Sequence, residues 1–137
     1  MEWHRDDYLV TDDAGSIDFG FVERMLRTTY WASARSRREM ERAAGNSINF
    51  SLLHGGTQIG YARVVTDGTL FAWIADVIVD PAHRRKGLGV WLVECVLEHP
   101  DITDTVQQLL RTRDAHGLYS PFGFETAECM TRRKEGY

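Results

Sequence analysis

Three consecutive strand patterns joined by two tight-turn signals constrain this chain more than any other feature. Ile48, Phe50 and Leu52 alternate with polar neighbours, as in a half-buried strand, and Gly55-Gly56 supplies the positive φ angles of a hairpin. Gln58 to Thr66 forms the return strand. Asp67-Gly68 marks a second hairpin, and Leu70 to Val79 is nearly all apolar, the composition of a strand central in its sheet. An antiparallel meander therefore occupies the middle of the chain.

Helical patterns flank it. Phe21, Val22, Met25 and Leu26 recur at helical spacing between Asp18 and Thr28, with Asp18 placed to cap the first turn. Ser36-Arg37-Arg38-Glu39 has capping-box spacing, in which each side chain satisfies an orphan backbone N–H, so residues 36 to 44 are predicted helical and Gly45 to close them. Tyr8 to Thr11 reads as a short first strand ended by Asp12-Asp13-Ala14-Gly15. Beyond the meander, Leu88 to Glu98 places Leu88, Leu92, Cys95 and Val96 on one side of a helix that Pro100 stops. Val106 to Thr112 is expected to be a strand, Ala115 to Ser120 a short helix, Phe124 to Met130 a last strand, and Arg132 to Tyr137 a polar tail. The expected architecture is one α/β (α+β) domain over 1–137, with a mixed, mainly antiparallel sheet flanked by helices.

Composition narrows the function classes. The 137 residues, 43% hydrophobic, suffice for a core burying roughly two-thirds of the unfolded surface. Sixteen basic against 20 acidic side chains give a net charge of −4, which argues against a general nucleic-acid binder driven by counterion release. Two cysteines, Cys95 and Cys129, suggest reduced thiols rather than a disulfide framework. No apolar run reaches the ~18 residues that span a bilayer, and the first residues lack the basic and apolar regions of a secretion signal. A cytoplasmic protein with neither membrane nor nucleic-acid partner is expected.

From Val77 to Leu97 an apolar strand breaks at Asp80-Pro81 into Arg84-Arg85-Lys86-Gly87-Leu88-Gly89 and then into an apolar helix. Glycines let backbone N–H groups approach an anion closely, the helix start adds partial positive charge, and three basic side chains strengthen the field. A Gly-x-Gly before a helix also serves as a plain turn. Neither nucleotide fingerprint fits: Leu92 stands where a dinucleotide site has its third glycine, and a Gly-Lys-Ser/Thr is missing.

The same residues match the Gln/Arg-x-x-Gly-x-Gly/Ala signature, and Ala115 to Phe124 matches Ala-x-x-Leu-Tyr-x-x-x-Gly-Phe. With these two motifs the chain resembles the GCN5-related N-acetyltransferases, the GNAT superfamily, most closely over residues 47 to 126. The resemblance implies that acetyl-CoA is the cosubstrate, lying between the strand ending at Val79 and that of Val106 to Thr112. It assigns the pyrophosphate to backbone around Arg84, Arg85, Lys86, Gly87, Leu88 and Gly89, and the pantetheine and acetyl carbonyl to Val77, Ile78 and Val79. Tyr119 matches the family tyrosine beside the CoA sulfur and is the expected proton donor. Thr112 stands where many members contact CoA through asparagine.

Where relatives carry a basic glutamate, this strand has Trp73 and Ala75. Asp76 is its one carboxylate, a candidate catalytic base or a residue that binds or orients the substrate while water takes the proton. Regular pleating sets it opposite Trp73, Ala75, Val77 and Val79 unless a bulge intervenes. Tyr30, Trp31 and Arg35 from the first helices and Phe71 and Trp73 from the strand are expected near the acceptor, as aromatic walls that suit a cationic amine. The other arginines up to Arg42 read as the solvated face of a capped helix, and His116 as a surface residue. The expected reaction is direct acetyl transfer to a primary amine in a ternary complex, more readily a small molecule than a protein or peptide. The chain would act as a monomer or homodimer. Rival readings are a non-catalytic acyl-CoA-binding module and a nucleotide-phosphate binder.

Overall fold

The computed structural model of the chain describes residues 1–137. Six strands form one sheet in sequence order: β1 (Glu2–Arg5), β2 (Tyr8–Thr11), β3 (Ile48–His54), β4 (Thr57–Thr66), β5 (Phe71–Val79) and β6 (Gln107–Leu110). Neighbours run antiparallel except β5 and β6, which are parallel. A parallel pair needs a crossover, and α3 (Leu88–Glu98) with α4 (Pro100–Thr103) provides it. Two helices, α1 (Phe19–Leu26) and α2 (Arg37–Gly45), lie between β2 and β3, and α5 (His116–Tyr119) follows β6.

The sheet is covered on both faces, which explains the near-continuous apolar run of β5. On one face Phe50, Leu52, Val64 and Ile74 pack with Leu92 and Val96 of α3. On the other, Tyr61 packs with Phe21, Val22 and Leu26 of α1 and Met40 of α2. Each such fully buried aliphatic side chain contributes about 1.5–3 kcal/mol. The N-terminal helix signals act as the residue types require, whereas Gly45 remains helical and Asn46, at φ −110°, caps α2 instead. Asp18 accepts from the Phe21 N–H at 3.2 Å, and Ser36 and Glu39 exchange reciprocal bonds at 3.1 and 2.9 Å.

Three elements differ from the sequence expectation. Glu2–Arg5 forms an additional edge strand whose only core contact is Trp3, too little apolar patterning to reveal it, and Asp6 turns the hairpin at φ 54°. Pro100 not only ends α3 but starts α4, where its missing N–H costs nothing and the His99 ring accepts from the Asp101 N–H at 3.1 Å. Phe124 to Met130 is not a strand. Neither alternate set of those residues is apolar throughout, so nothing pins a register against the sheet. Instead Phe124 packs edge-on to Tyr119, and the tail reaches α2, where the Tyr137 hydroxyl donates to the Glu39 carboxylate at 2.9 Å.

Candidate active site

A bulge in β5 creates the site. Ile74 and Ala75 face Val64 and Arg63 of β4, but Ile78 then faces Tyr61, so Asp76 and Val77 together oppose one β4 residue. Asp76 adopts φ 55°, a left-handed conformation that aspartate tolerates better than most residues. The extra residue reverses the alternation. Ala72 and Ile74 face the α3 core before the bulge, and Val77 and Val79 face it afterwards. Asp76 consequently emerges on the same face as Trp73 and Ala75, against the outcome of regular pleating.

There its carboxylate, 2% exposed, meets three donors. Arg35 Nη1 donates to both oxygens at 2.9 and 2.8 Å, Arg63 Nε donates at 3.0 Å, and Trp31 Nε1 donates at 3.0 Å. Burial alone would raise its pKa, but the Arg35 and Arg63 guanidiniums overcome that and hold the carboxyl below the usual carboxylate range. Arg35 is thus turned inward to the site.

Beside the bulge the parallel pair opens. Phe71 to Ile74 pair with Gln107 to Leu110, and no further pairing follows toward Val79. The resulting cleft, about 860 Å³, is lined by Val77, Ile78, Val79 and the start of α3. The Asp80 N–H donates to Ile59 of β4. Strand alternation then directs the N–H groups of Val77 and Val79 toward the cleft.

At the helix start, Arg85 and Gly87 both have left-handed backbone, with φ of 65° and 71°. Successive N–H groups in such a turn converge on an anion. Gly87 offers no capping side chain, and the first bond of the α3 ladder runs from the Trp91 N–H, so those of Leu88, Gly89 and Val90 lack helical partners. A Cβ at Gly89 would meet no atom within 4 Å, so the approach to these donors is open. Arg84 and Arg85 line this cleft; Lys86 does not. Arg5 of the unanticipated β1 brings its guanidinium to 3.9 Å from where a Gly87 Cβ would stand.

A second pocket of about 720 Å³ adjoins the first, and Tyr30, Trp31, Val77 and Leu118 border both. Trp73, Asp76, Thr112 and Tyr119 line it, whereas Phe71 and His116 lie outside both cavities. Tyr119 is buried, and this burial, with Tyr30 nearby, pushes its hydroxyl up to about 12. It therefore keeps its proton throughout the neutral range. The Thr112 hydroxyl accepts from the Ala115 N–H at 2.9 Å and so anchors the turn into α5. Tyr30 is fixed similarly: its hydroxyl accepts from the Arg113 N–H at 2.8 Å, and the Arg113 guanidinium stacks 3.9 Å from its ring centroid.

The sequence reading did not assign Arg63, Arg111, Arg113 or Arg133 to this pocket, all of which line it. The available signal was that Arg111 and Arg113 flank Thr112 directly after a strand. Neither thiol borders either of these two cavities. Cys95 is buried in α3, where burial pushes it up to about 12, and Cys129 is exposed on the tail.

A parallel strand pair splayed beside a bulge, with a glycine-bearing turn at the next helix, is the arrangement that the resemblance to the GNAT acetyltransferases implied. The sequence pattern of the acetyltransferase (GNAT) domain matches residues 46–126. A GNAT-family acetyltransferase structure from Xanthomonas campestris pv. campestris shares 33% identity, covers 97% of each chain and superposes with a TM-score of 0.90. A Gibberella zeae protein described as an acetyltransferase is 28% identical over 118 residues, 72% of this chain and 67% of its own length. The mycothiol acetyltransferase of Saccharomonospora viridis is 48% identical over 44 residues, 31% of this chain but 14% of that longer protein. This chain belongs to the GNAT acetyltransferase family.

Proposed function

We propose that the protein transfers an acetyl group from acetyl-CoA directly to the primary amine of a small molecule. The observation carrying this reading is the continuity of the two cavities through Tyr30, Trp31 and Val77, which lets a donor in one and an acceptor in the other meet at the bulge. The orphan N–H groups at the start of α3, the open approach over Gly89 and the flanking Arg84 and Arg85 fit a pyrophosphate. When bound, acetyl-CoA would supply the activated thioester carbon that the amine attacks.

The chain's own groups then have separable tasks. Backbone N–H groups of Val77 and Val79 bind and polarise the acetyl carbonyl, and their pull grows as negative charge develops on its oxygen. Tyr119 holds a proton at the pocket wall for the departing sulfur. Asp76 acts as a positioning residue: its oxygens already accept from Arg35, Arg63 and Trp31, so it orients Trp31 while water takes the amine proton. Direct transfer is favoured because neither thiol borders the donor or the acceptor cavity. The size of the acceptor pocket, within the ~300–1,000 Å³ typical of small-ligand sites, favours a small amine over a folded protein.

The donor half is tested with Gly89→Asp. The added side chain has room, and an acidic residue in a first helical turn does not weaken the helix. It would nevertheless repel pyrophosphate. Calorimetry should show the Kd for acetyl-CoA rising on the order of tenfold or more, about 1.4 kcal/mol or above, with thermal stability maintained. Unchanged affinity would remove the α3 start as the pyrophosphate site. Transfer itself is checked by thiol release across a panel of amines. Saturable acetyl-CoA binding with no turnover on any amine would favour an acyl-CoA-binding module.

A further inference from the structure

The second pocket carries a charge pattern opposite to that of a site for a simple cationic amine. Five arginines but only two aspartates, Asp76 and Asp114, line it. Asp76 is committed to Arg35 and Arg63. This leaves Arg111, Arg113 and Arg133 facing the cavity against Asp114 alone. Arg111 has no acidic partner within ion-pair distance, and the Arg113 guanidinium contacts the neutral face of Tyr30. Arg133 Nη1 donates to the terminal Tyr137 oxygen at 3.4 Å.

Resting on the transferase reading above, we propose that the acceptor is an amine that also carries an anionic oxygen group, a carboxylate or phosphate, held by Arg111 and Arg113. Unpaired guanidiniums bordering a cavity are matched to such groups by geometry and by charge-assisted hydrogen bonding. Arg113 borders both cavities, whereas Arg111 and Arg133 border only the second, so the positive surplus is not explained by the phosphates of the donor. Trp31 and Trp73 line the same pocket, which also reaches the bulge at Asp76. The anion would anchor one end of the acceptor while the amine end reaches Val77 and Tyr119. The same surplus disfavours an ammonium ion, which helps a strand without glutamate to present a neutral nucleophile.

The test uses two pairs that differ in the anion: β-alanine against propylamine, and phosphoethanolamine against ethanolamine. Two readouts are taken: kcat/KM with acetyl-CoA, and equilibrium binding with CoA present, followed by tryptophan fluorescence because Trp31 and Trp73 line the pocket. The anionic member of at least one pair should win by about tenfold or more in both, and which pair responds tells carboxylate from phosphate. Arg111→Gln, at an exposed position, should shrink that preference about tenfold. Preference for the members that lack the anionic group, absence of binding by all four, or an Arg111→Gln effect confined to acetyl-CoA affinity would overturn the inference. Selective binding of the anionic member without acetylation would instead leave the anion site standing and sink the transferase reading.

Discussion

Replacing Tyr119 by phenylalanine should lower kcat about 100-fold while changing acetyl-CoA affinity less than threefold, the size expected when a positioned proton donor is lost. The substitution keeps the ring, and hence its edge-on contact with Phe124 at 5.9 Å between centroids, so folding is preserved. What disappears is one hydroxyl at the wall of the second pocket. A 100-fold loss corresponds to about 2.7 kcal/mol of transition-state stabilisation, more than a neutral hydrogen bond supplies at the surface of a protein. Because burial pushes the Tyr119 hydroxyl up to about 12, the wild-type rate should show no alkaline fall attributable to this group below about pH 10. Equal turnover in the mutant, in single-turnover assays that isolate the chemical step, would remove Tyr119 from the mechanism.

Asp76→Asn should have the largest effect on stability. Asparagine fits the left-handed conformation at φ 55° as well as aspartate does, so the variant isolates the charge from the backbone. Without it, two guanidiniums whose side chains are 24% and 13% exposed lose their counter-ion. Breaking a buried ion pair from one side costs about 3–5 kcal/mol, and the partial exposure of Arg35 places this case near 3 kcal/mol. Denaturant unfolding measures it. The folded-state pKa of Asp76 lies below its unfolded value, so its contribution is fully present above the ordinary carboxylate range and fades as pH falls through the folded pKa. The gap between wild type and Asp76→Asn should therefore be constant near neutrality and close below about pH 4. A gap that is independent of pH down to pH 2 would show that the charge is not what the fold uses.

The two substitutions also separate roles within one pocket. In the proposed mechanism Tyr119 acts on the reacting atoms, so its loss should appear in kcat. Asp76, which accepts from Trp31 and Arg35, is proposed to act through them, so its loss should also raise the acceptor KM at temperatures where the variant remains folded. A rate loss in Asp76→Asn that rising pH restores, with KM unchanged, would instead make Asp76 the base.

Sequence and structure agree most closely where a residue's role depends on its immediate neighbours. The Asp18 cap, the Ser36-Glu39 box and the Gly55-Gly56 and Asp67-Gly68 hairpins are all local, and each lies where its residue types put it. The basic, glycine-bearing turn before α3 is also local, and Arg85 and Gly87 give it the backbone that an anion cradle requires. The expected strand at Phe124 to Met130 depended instead on a partner and a register, and its mixed alternation secures neither. The edge strand Glu2–Arg5 was hidden for the opposite reason, since four mostly polar residues acquire strand character only by pairing with β2.

The second pocket, proposed for the acceptor, follows the same division. Tyr119, Thr112, Tyr30, Trp31 and Trp73, named from motif and pattern, do border the second pocket, but their chemistry is set by what surrounds them. One inserted residue in β5 moves Asp76 to the other face of the sheet, and two arginines, 41 and 13 residues away, then occupy its carboxylate. The sequence by itself determined the sheet's central strands, the helix N-caps and the glycine-bearing turn before α3, because these are fixed by short-range backbone and side-chain preferences. Only the tertiary structure decided which way Asp76 points, which charges remain unpaired and where the two cavities meet, because these depend on register and on contacts between residues distant along the chain.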